Sequence, residues 1–111
     1  MSDLPTLDSK GAYSKNVLLS EGIVVIEGTA TWCPQCKVIA PELPKIASEF
    51  PDVKWYTYDT EGVPDIAQEL GVSQMPTFSI FKDGDIEGSV TGAKVKELRE
   101  KLKTVSEGGR I

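Results

Sequence analysis

A pair of cysteines separated by two residues constrains this chain more than any other feature of its sequence. Cys33 and Cys36 are the only cysteines among the 111 residues, and they follow the apolar run at residues 22–26. Two cysteines at this spacing, where a buried strand gives way to a helix, are typical of a dithiol/disulfide redox centre. The free N–H groups at the start of that helix favour the thiolate of Cys33, the nucleophile in disulfide exchange. Cys36 lies one helical turn further on, close enough to form an intramolecular disulfide.

Length and charge restrict the class of protein. A chain of 111 residues is long enough for one domain with its own apolar core, so we expect a single domain over residues 1–111, frayed at 1–5 and 106–111. A net charge of −5 disfavours nucleic acid and acidic membrane surfaces as partners. No apolar stretch reaches the ~18 residues of a membrane span, and the first residues lack the pattern of a secretory signal. These observations favour a cytoplasmic protein.

Apolar patterning predicts an alternation of strands and helices. β-Branched and aromatic runs predict strands at residues 23–26, 53–58, 77–81 and 86–90, with a tight Asp83-Gly84 turn between the last two. Helical spacing predicts helices at residues 9–21, from the redox loop to about residue 50, at 64–70 and at 93–105. Pro41 and Pro44 each remove a backbone hydrogen bond from the second helix, so we expect a kink there.

The order of these elements predicts the fold class. Helices separate the early strands, which then pair in parallel through right-handed crossovers, while the hairpin adds antiparallel strands. The first eight residues allow one further short strand. The predicted fold is therefore α/β, with a mixed sheet of four or five strands sandwiched between four helices.

Several short motifs are spread over nearly the whole chain. They are Ser9-Lys10-Gly11-Ala12-Tyr13, Ala30-Thr31-Trp32-Cys33, Cys36-Lys37, Pro41, Met75-Pro76-Thr77-Phe78, Phe81-Lys82-Asp83-Gly84 and Thr91-Gly92-Ala93. Together they resemble the thioredoxin family. The resemblance implies the thioredoxin fold and a thiol–disulfide oxidoreductase that reduces disulfides in partner proteins through the dithiol of Cys33 and Cys36.

The resemblance also assigns a docking surface. It implies a cis peptide bond before Pro76, which would turn the backbone of Met75 toward an extended substrate segment. Gly92 would allow the substrate backbone to approach from the other side, and Trp32 would offer a flat apolar platform. The ordinary alternatives are a trans proline at position 76 and a partly buried core tryptophan at position 32.

Glu27 is the sharpest single prediction. Thioredoxins place a buried aspartate at the matching position, and the resemblance implies that Glu27 takes the proton from Cys36 when that thiol attacks the mixed disulfide. Burial would raise the pKa of the carboxyl toward neutrality. Glutamate is one methylene longer, and Thr57 stands where some thioredoxins have a lysine that neutralises the carboxylate. The alternative is a solvated acid at the end of a strand.

The redox loop departs from the usual thioredoxin sequence. The two residues between the cysteines are Pro34 and Gln35 instead of glycine and proline. Proline directly after the first cysteine is typical of glutaredoxins. We therefore expect Pro34 and Gln35 to tune the reduction potential, and a glutathione-coupled reductase or an isomerase is the alternative function.

Other roles for the cysteines remain open at this stage. A structural disulfide would close a loop too short to constrain the unfolded chain much. A zinc site needs four ligands, and the chain has no histidine and no third cysteine. A thioredoxin-fold binding module is a further alternative. The resemblance implies no bound cofactor or metal, and electrons that come from NADPH through a thioredoxin reductase.

Overall fold

The computed structural model describes residues 4–111, and their strands form one four-stranded mixed sheet. The strands are β1 (Ile23–Thr29), β2 (Lys54–Asp59), β3 (Thr77–Lys82) and β4 (Asp85–Thr91), in the spatial order β2-β1-β3-β4. β1 pairs with β2 in parallel and with β3 antiparallel, and β3 and β4 form the antiparallel hairpin. The mixed sheet and the hairpin turn are confirmed.

Five α-helical segments surround the sheet in residues 4–111. They are α1 (Lys10–Tyr13), α2 (Pro34–Ile39), α3 (Leu43–Glu49), α4 (Pro64–Leu70) and α5 (Val95–Ser106). A π-helical segment, Ser14–Leu18, continues α1, and a 3₁₀ turn, Ala40–Glu42, joins α2 to α3. Pro41 lies in that turn and has no N–H to donate, so the break in the long helix is confirmed as predicted. With α2 and α3 counted as one interrupted helix, the four predicted helices are present.

The two faces of the sheet carry different helices. On one face, α2, α3 and α5 pack on a cluster that includes Val25, Phe78 and Ile80. On the other face, α1, its π-helical continuation and α4 pack on Val24 and Ile26. Because successive side chains of a strand point to opposite faces, the apolar run in β1 supplies both cores at once.

The segment before α1 lies along the outer edge of β2. The N–H of Leu7 donates to the carbonyl of Thr57 at 2.8 Å, and the N–H of Thr57 donates to the carbonyl of Pro5 at 2.9 Å. The additional strand that residues 1–8 allowed is reduced to a single parallel bridge between Thr6 and Thr57. Residues 1–3, part of the segment expected to fray, lie outside the described residues.

The strand register brings four loops to one edge of the sheet. Thr29 at the end of β1 is paired with Asp59 at the end of β2. Thr77 at the start of β3 is paired with Thr91 at the end of β4. The segments that follow β1, β2 and β4 and the segment that precedes β3 therefore meet at this edge, which we call the redox edge.

Candidate active site

The two cysteines form a disulfide at the start of α2. Cys33 and Cys36 are bonded, with their Cα atoms 5.3 Å apart. Cys33 is extended and caps the helix, and its Sγ accepts the N–H of Cys36 at 3.1 Å. Pro34 occupies the first helical position, where a missing N–H costs nothing. Cys33 is 2% exposed. The helix start thus aims a backbone donor at the sulfur predicted to be the nucleophile.

Trp32 lies beside the disulfide on the outside of the molecule. The residue is 60% exposed, so the alternative of a core tryptophan is wrong. The indole Nε1 donates to Oε1 of Glu61 at 3.2 Å, and the N–H of Glu61 donates to Asp59 Oδ1 at 3.0 Å. The sequence reasoning missed Glu61. Its place two residues after the end of β2, a strand predicted to run parallel to β1, was the available signal.

The opposite wall of the site is built from two connected loops. The bond between Met75 and Pro76 is cis, as expected, and Pro76 is buried. The carbonyl of Pro76 accepts the N–H of Gly92 at 2.7 Å. Gly92 has φ +95°, a backbone conformation that side chains with a Cβ rarely adopt. The structure therefore brings Met75, Pro76 and Gly92 together at the redox edge, where Gly92 lies near the Gln35 side chain of the redox loop.

Glu27 lies in the interior of the site. Glu27 is 1% exposed, so the alternative of a solvated acid at the end of a strand is wrong. Within residues 4–111 its Oε1 has no hydrogen-bond partner. Burial, which penalises the charged form, raises the pKa of this carboxyl from 4.5 to about 7. A carboxyl with this pKa can gain or lose a proton near neutral pH.

A pocket of about 400 Å³ connects Glu27 with the disulfide. Glu27, Cys33, Cys36, Lys37 and Thr57 all contribute to its lining. The hydroxyl of Thr57 donates to the backbone carbonyl of Glu27 at 3.2 Å, so it does not reach the carboxyl group. Within residues 4–111, no side chain of β2 forms an ion pair with Glu27. The sequence reasoning did not single out Lys37, whose side chain makes no ion pair within the described residues.

Comparisons with known proteins agree with this geometry. The thioredoxin family model matches residues 5–104. This chain belongs to the thioredoxin family. It is 37% identical to thioredoxin H5 of Arabidopsis thaliana over 96% of this chain and 88% of that one. It is 38% identical to mitochondrial thioredoxin-3 of Saccharomyces cerevisiae over 80% of this chain and 70% of that one.

Solved structures give the same result. The crystal structure of thioredoxin from Trypanosoma brucei brucei superposes with a TM-score of 0.88 and 33% identity, over 95% of this chain and 92% of that one. The predicted thioredoxin fold is confirmed. Together with the Cys33–Cys36 disulfide, the family makes this chain a thiol–disulfide oxidoreductase of the thioredoxin type.

Two further findings limit what the described residues hold. Residues 4–111 contain no group of three histidine, cysteine or acidic side chains placed to bind a metal ion. No helix in the same part of the chain is long and apolar enough to cross a membrane.

Proposed function

We propose that this thioredoxin-family chain reduces disulfide bonds in partner proteins. The observation that carries this proposal is the hydrogen bond from the Cys36 N–H to the Cys33 sulfur at 3.1 Å, next to the exposed ring of Trp32. A donor at a helix start favours a thiolate on Cys33 in the reduced protein. An attacking thiolate beside an open apolar platform suits exchange with another protein.

The proposed reaction has two exchange steps. The Cys33 thiolate attacks one sulfur of the partner's disulfide, which forms a mixed disulfide and releases the partner's other sulfur as a thiolate that takes a proton. Cys36 then attacks Cys33 Sγ, which forms the Cys33–Cys36 disulfide and releases the second partner thiol. Two electrons pass from the dithiol to the partner. The described disulfide is the end state of this sequence.

Glu27 is assigned the proton transfer in the second step. Cys36 must lose its proton before it attacks, and Glu27 lines the same pocket as Cys36. With a pKa of about 7, the carboxyl is partly ionised at neutral pH and can accept that proton. Its unpartnered Oε1 supports this assignment, because no other hydrogen bond in residues 4–111 holds that atom.

The docking surface is assigned to Trp32, Met75, Pro76 and Gly92. The Pro76–Gly92 hydrogen bond joins two loops into one wall, while the Trp32–Glu61 hydrogen bond orients the indole on the other side. An extended partner segment could pair with the backbone of Met75 in the manner of an added strand. Gly92 leaves room for that segment because it carries no side chain.

The electron donor and the compartment belong to the same proposal. We assign re-reduction of the disulfide to an NADPH-dependent thioredoxin reductase, in the cytoplasm or another compartment that keeps thiols reduced. One relative is described as mitochondrial. Pro34 after Cys33 favours the glutathione system as a second donor. Turnover with NADPH and thioredoxin reductase, compared with turnover with glutathione and its reductase, separates the two.

The reduction potential of the Cys33–Cys36 couple sharpens that comparison. A value near roughly −270 mV, measured by equilibration in defined thiol buffers, would agree with a thioredoxin reductase as donor. A value of about −200 mV or higher would mean that Pro34 and Gln35 make the disulfide easier to reduce and would favour glutathione or an isomerase role.

The test of the proposed function is to trap the mixed disulfide. In a Cys36→Ser variant the second step is blocked, so incubation with a disulfide-containing protein should give a stable one-to-one adduct that dithiothreitol releases. A Cys33→Ser variant is the matched control and should give no adduct. If reduced wild-type protein leaves protein disulfides intact and Cys36→Ser forms no adduct, the proposed function is wrong.

A further inference from the structure

Two polar side chains without partners converge on Gly92. Oε1 of Gln35 and Cε of Lys94 each lie 3.9 Å from the point where a Cβ on Gly92 would be. Gln35 belongs to the redox loop and Lys94 to the segment before α5, so separate elements bring them together. Both residues are exposed, and within residues 4–111 neither side chain makes a hydrogen bond or an ion pair.

The backbone beneath Lys94 is held by hydrogen bonds at both ends. Its N–H donates to the carbonyl of Gly92 at 2.9 Å, and its carbonyl accepts the N–H of Leu98 at 3.0 Å. Gly92 is in turn bonded to Pro76 at 2.7 Å. The Lys94 side chain therefore starts from the wall proposed to dock the partner. Gln35 lies in the first turn of α2, between the two cysteines.

The charge of Lys94 is available to an external group. Lys101, on the same helix, ends 3.4 Å from Glu97 and donates to the carbonyl of Ser89 at 2.8 Å. No acidic side chain in the described residues takes that role for Lys94. The whole chain carries a net charge of −5. The unpaired ammonium of Lys94 therefore places a positive charge at the docking wall of a protein that is negative overall.

We propose that Gln35 and Lys94 bind a carboxylate close to the substrate's reactive disulfide. The proposal rests on the proposed function and names a substrate class for it: disulfides flanked by aspartate or glutamate, or a small disulfide such as oxidised glutathione that carries its own carboxylates. The ammonium supplies the opposite charge, and rotation of the Gln35 amide presents its N–H₂ as a second donor. Because the pair is exposed, the preference is about two- to fivefold in kcat/KM.

The experiment compares two disulfide-linked peptides that differ only in glutamate or glutamine beside the reactive cysteine. Wild-type protein should reduce the acidic peptide with the higher kcat/KM, and Lys94→Gln should abolish this preference. Lys96→Gln is the matched control, because it removes the same charge from an exposed lysine that has no partner in residues 4–111 and is further from Gly92 in the chain. It should retain the preference. Added salt should reduce the preference in the wild type, since exposed charges are screened.

A second variant tests the amide. Gln35→Met keeps the length of the side chain and removes its hydrogen-bonding atoms, so the preference should fall. Any change in the redox properties of the loop affects both peptides equally and cancels in the ratio of their kcat/KM values. Oxidised glutathione is the third substrate: a loss on Lys94→Gln that appears only with glutathione would identify the small disulfide as the source of the carboxylate.

The outcomes separate this inference from the function on which it rests. If the wild type reduces both peptides equally and Lys94→Gln leaves glutathione turnover unchanged, the carboxylate site is wrong and the reductase remains. The same conclusion follows if Lys94→Gln and Lys96→Gln lower the preference equally, because net charge would then explain it. If neither peptide is reduced, the proposed function itself has failed.

Discussion

Two glutamates in this molecule have opposite environments. Glu69, on α4, accepts a hydrogen bond from the hydroxyl of Tyr13 at 2.7 Å and forms an ion pair with Lys10 at 2.9 Å. The hydrogen bonds from Lys10 and Tyr13 lower its pKa. Glu27 is buried at the redox edge with Oε1 unpartnered within residues 4–111, and burial raises its pKa to about 7.

This difference shows that the fold tolerates an unfavourable environment for the ionised carboxyl at Glu27 but not at Glu69. A buried carboxyl without partners is unfavourable in its charged form, whereas a carboxyl with a cation and a hydroxyl donor is stabilised in that form. Tyr13 and Lys10 of α1 give Glu69 its partners, whereas burial leaves Oε1 of Glu27 without a partner within residues 4–111. An acid that gains and loses a proton during turnover must not be held in one charge state, so the unsatisfied environment fits the role proposed for Glu27.

The largest expected effect is on stability. The Glu27 pKa is raised from 4.5 to about 7, so between these values the folded state holds a proton that the unfolded chain has released. The free energy of unfolding therefore falls as pH rises through this window, by about 3 kcal/mol in total. Glu27→Gln should remove this dependence. The free energy of unfolding of the variant, relative to that of the wild type, should therefore be about 3 kcal/mol higher at pH 8 than at pH 4.

Urea unfolding of both oxidised proteins at the two pH values measures this gain. Comparing the two pH values cancels any packing change that the amide itself introduces. If the difference between the variant and the wild type is the same at pH 4 and pH 8, the carboxyl of Glu27 titrates like an ordinary glutamate.

The second effect is on the rate of the resolving step. Without an acceptor for the Cys36 proton, Glu27→Gln should slow the release of the partner from the mixed disulfide by on the order of 10²-fold at pH 7. Attack by Cys33 should keep its rate. Rapid-quench single turnovers, with mixed disulfide and product separated by mass, measure both steps. Glu69→Gln is the control and should change neither rate, and equal slowing of both steps by Glu27→Gln would contradict the assigned role.

Local signals in the sequence were enough for much of the fold. The helix Pro64–Leu70 was predicted with its observed bounds, because a proline fits the first turn and Gly71 adopts φ +66° at its end. The cysteine spacing likewise predicted the disulfide. Each of these features depends on residues that are close together along the chain, so a short stretch of sequence is enough to predict it.

Features set by distant residues were harder to predict. β1 was expected to end at Ile26, where polar and glycine residues begin, but it continues to Thr29 because Glu27 and Gly28 pair with residues of β2 and β3. Glu61 was not singled out for a related reason, and Lys94 was interpreted as part of the solvated face of the last helix. Both lie in loops that the strand register places at the redox edge, and no local pattern encodes that placement.

The third effect tests the satisfied glutamate. Glu69→Ala should lower the free energy of unfolding by about 1 kcal/mol, because the Tyr13 hydroxyl and Lys10 lose their partner at a partly exposed site. The pKa of Glu69 is lowered in the folded state, so its stabilisation is present above pH 4.5 and is lost as pH falls below it. The pH dependence is thus opposite in sign to that of Glu27.

Denaturant unfolding of Glu69→Ala at pH 3 and pH 7 checks this sign. The destabilisation should be present at pH 7 and shrink at pH 3, where the wild-type carboxyl is increasingly protonated. Activity should be unchanged at pH 7, because α4 contributes nothing to the lining of the pocket beside the disulfide. A destabilisation that grows toward pH 3 would contradict the assignment.

The smallest effect concerns Glu61, a carboxylate at the redox edge that does have a partner. Glu61 holds the exposed indole of Trp32 through a 3.2 Å hydrogen bond. Glu61→Ala should raise KM for a protein disulfide about twofold with kcat unchanged, because the tryptophan platform is less well ordered before docking. Glu61→Gln retains an acceptor oxygen and should restore the wild-type KM. If alanine and glutamine raise KM equally, the charge of Glu61 and not its hydrogen bond to Trp32 affects docking, and the indole is held by its packing alone.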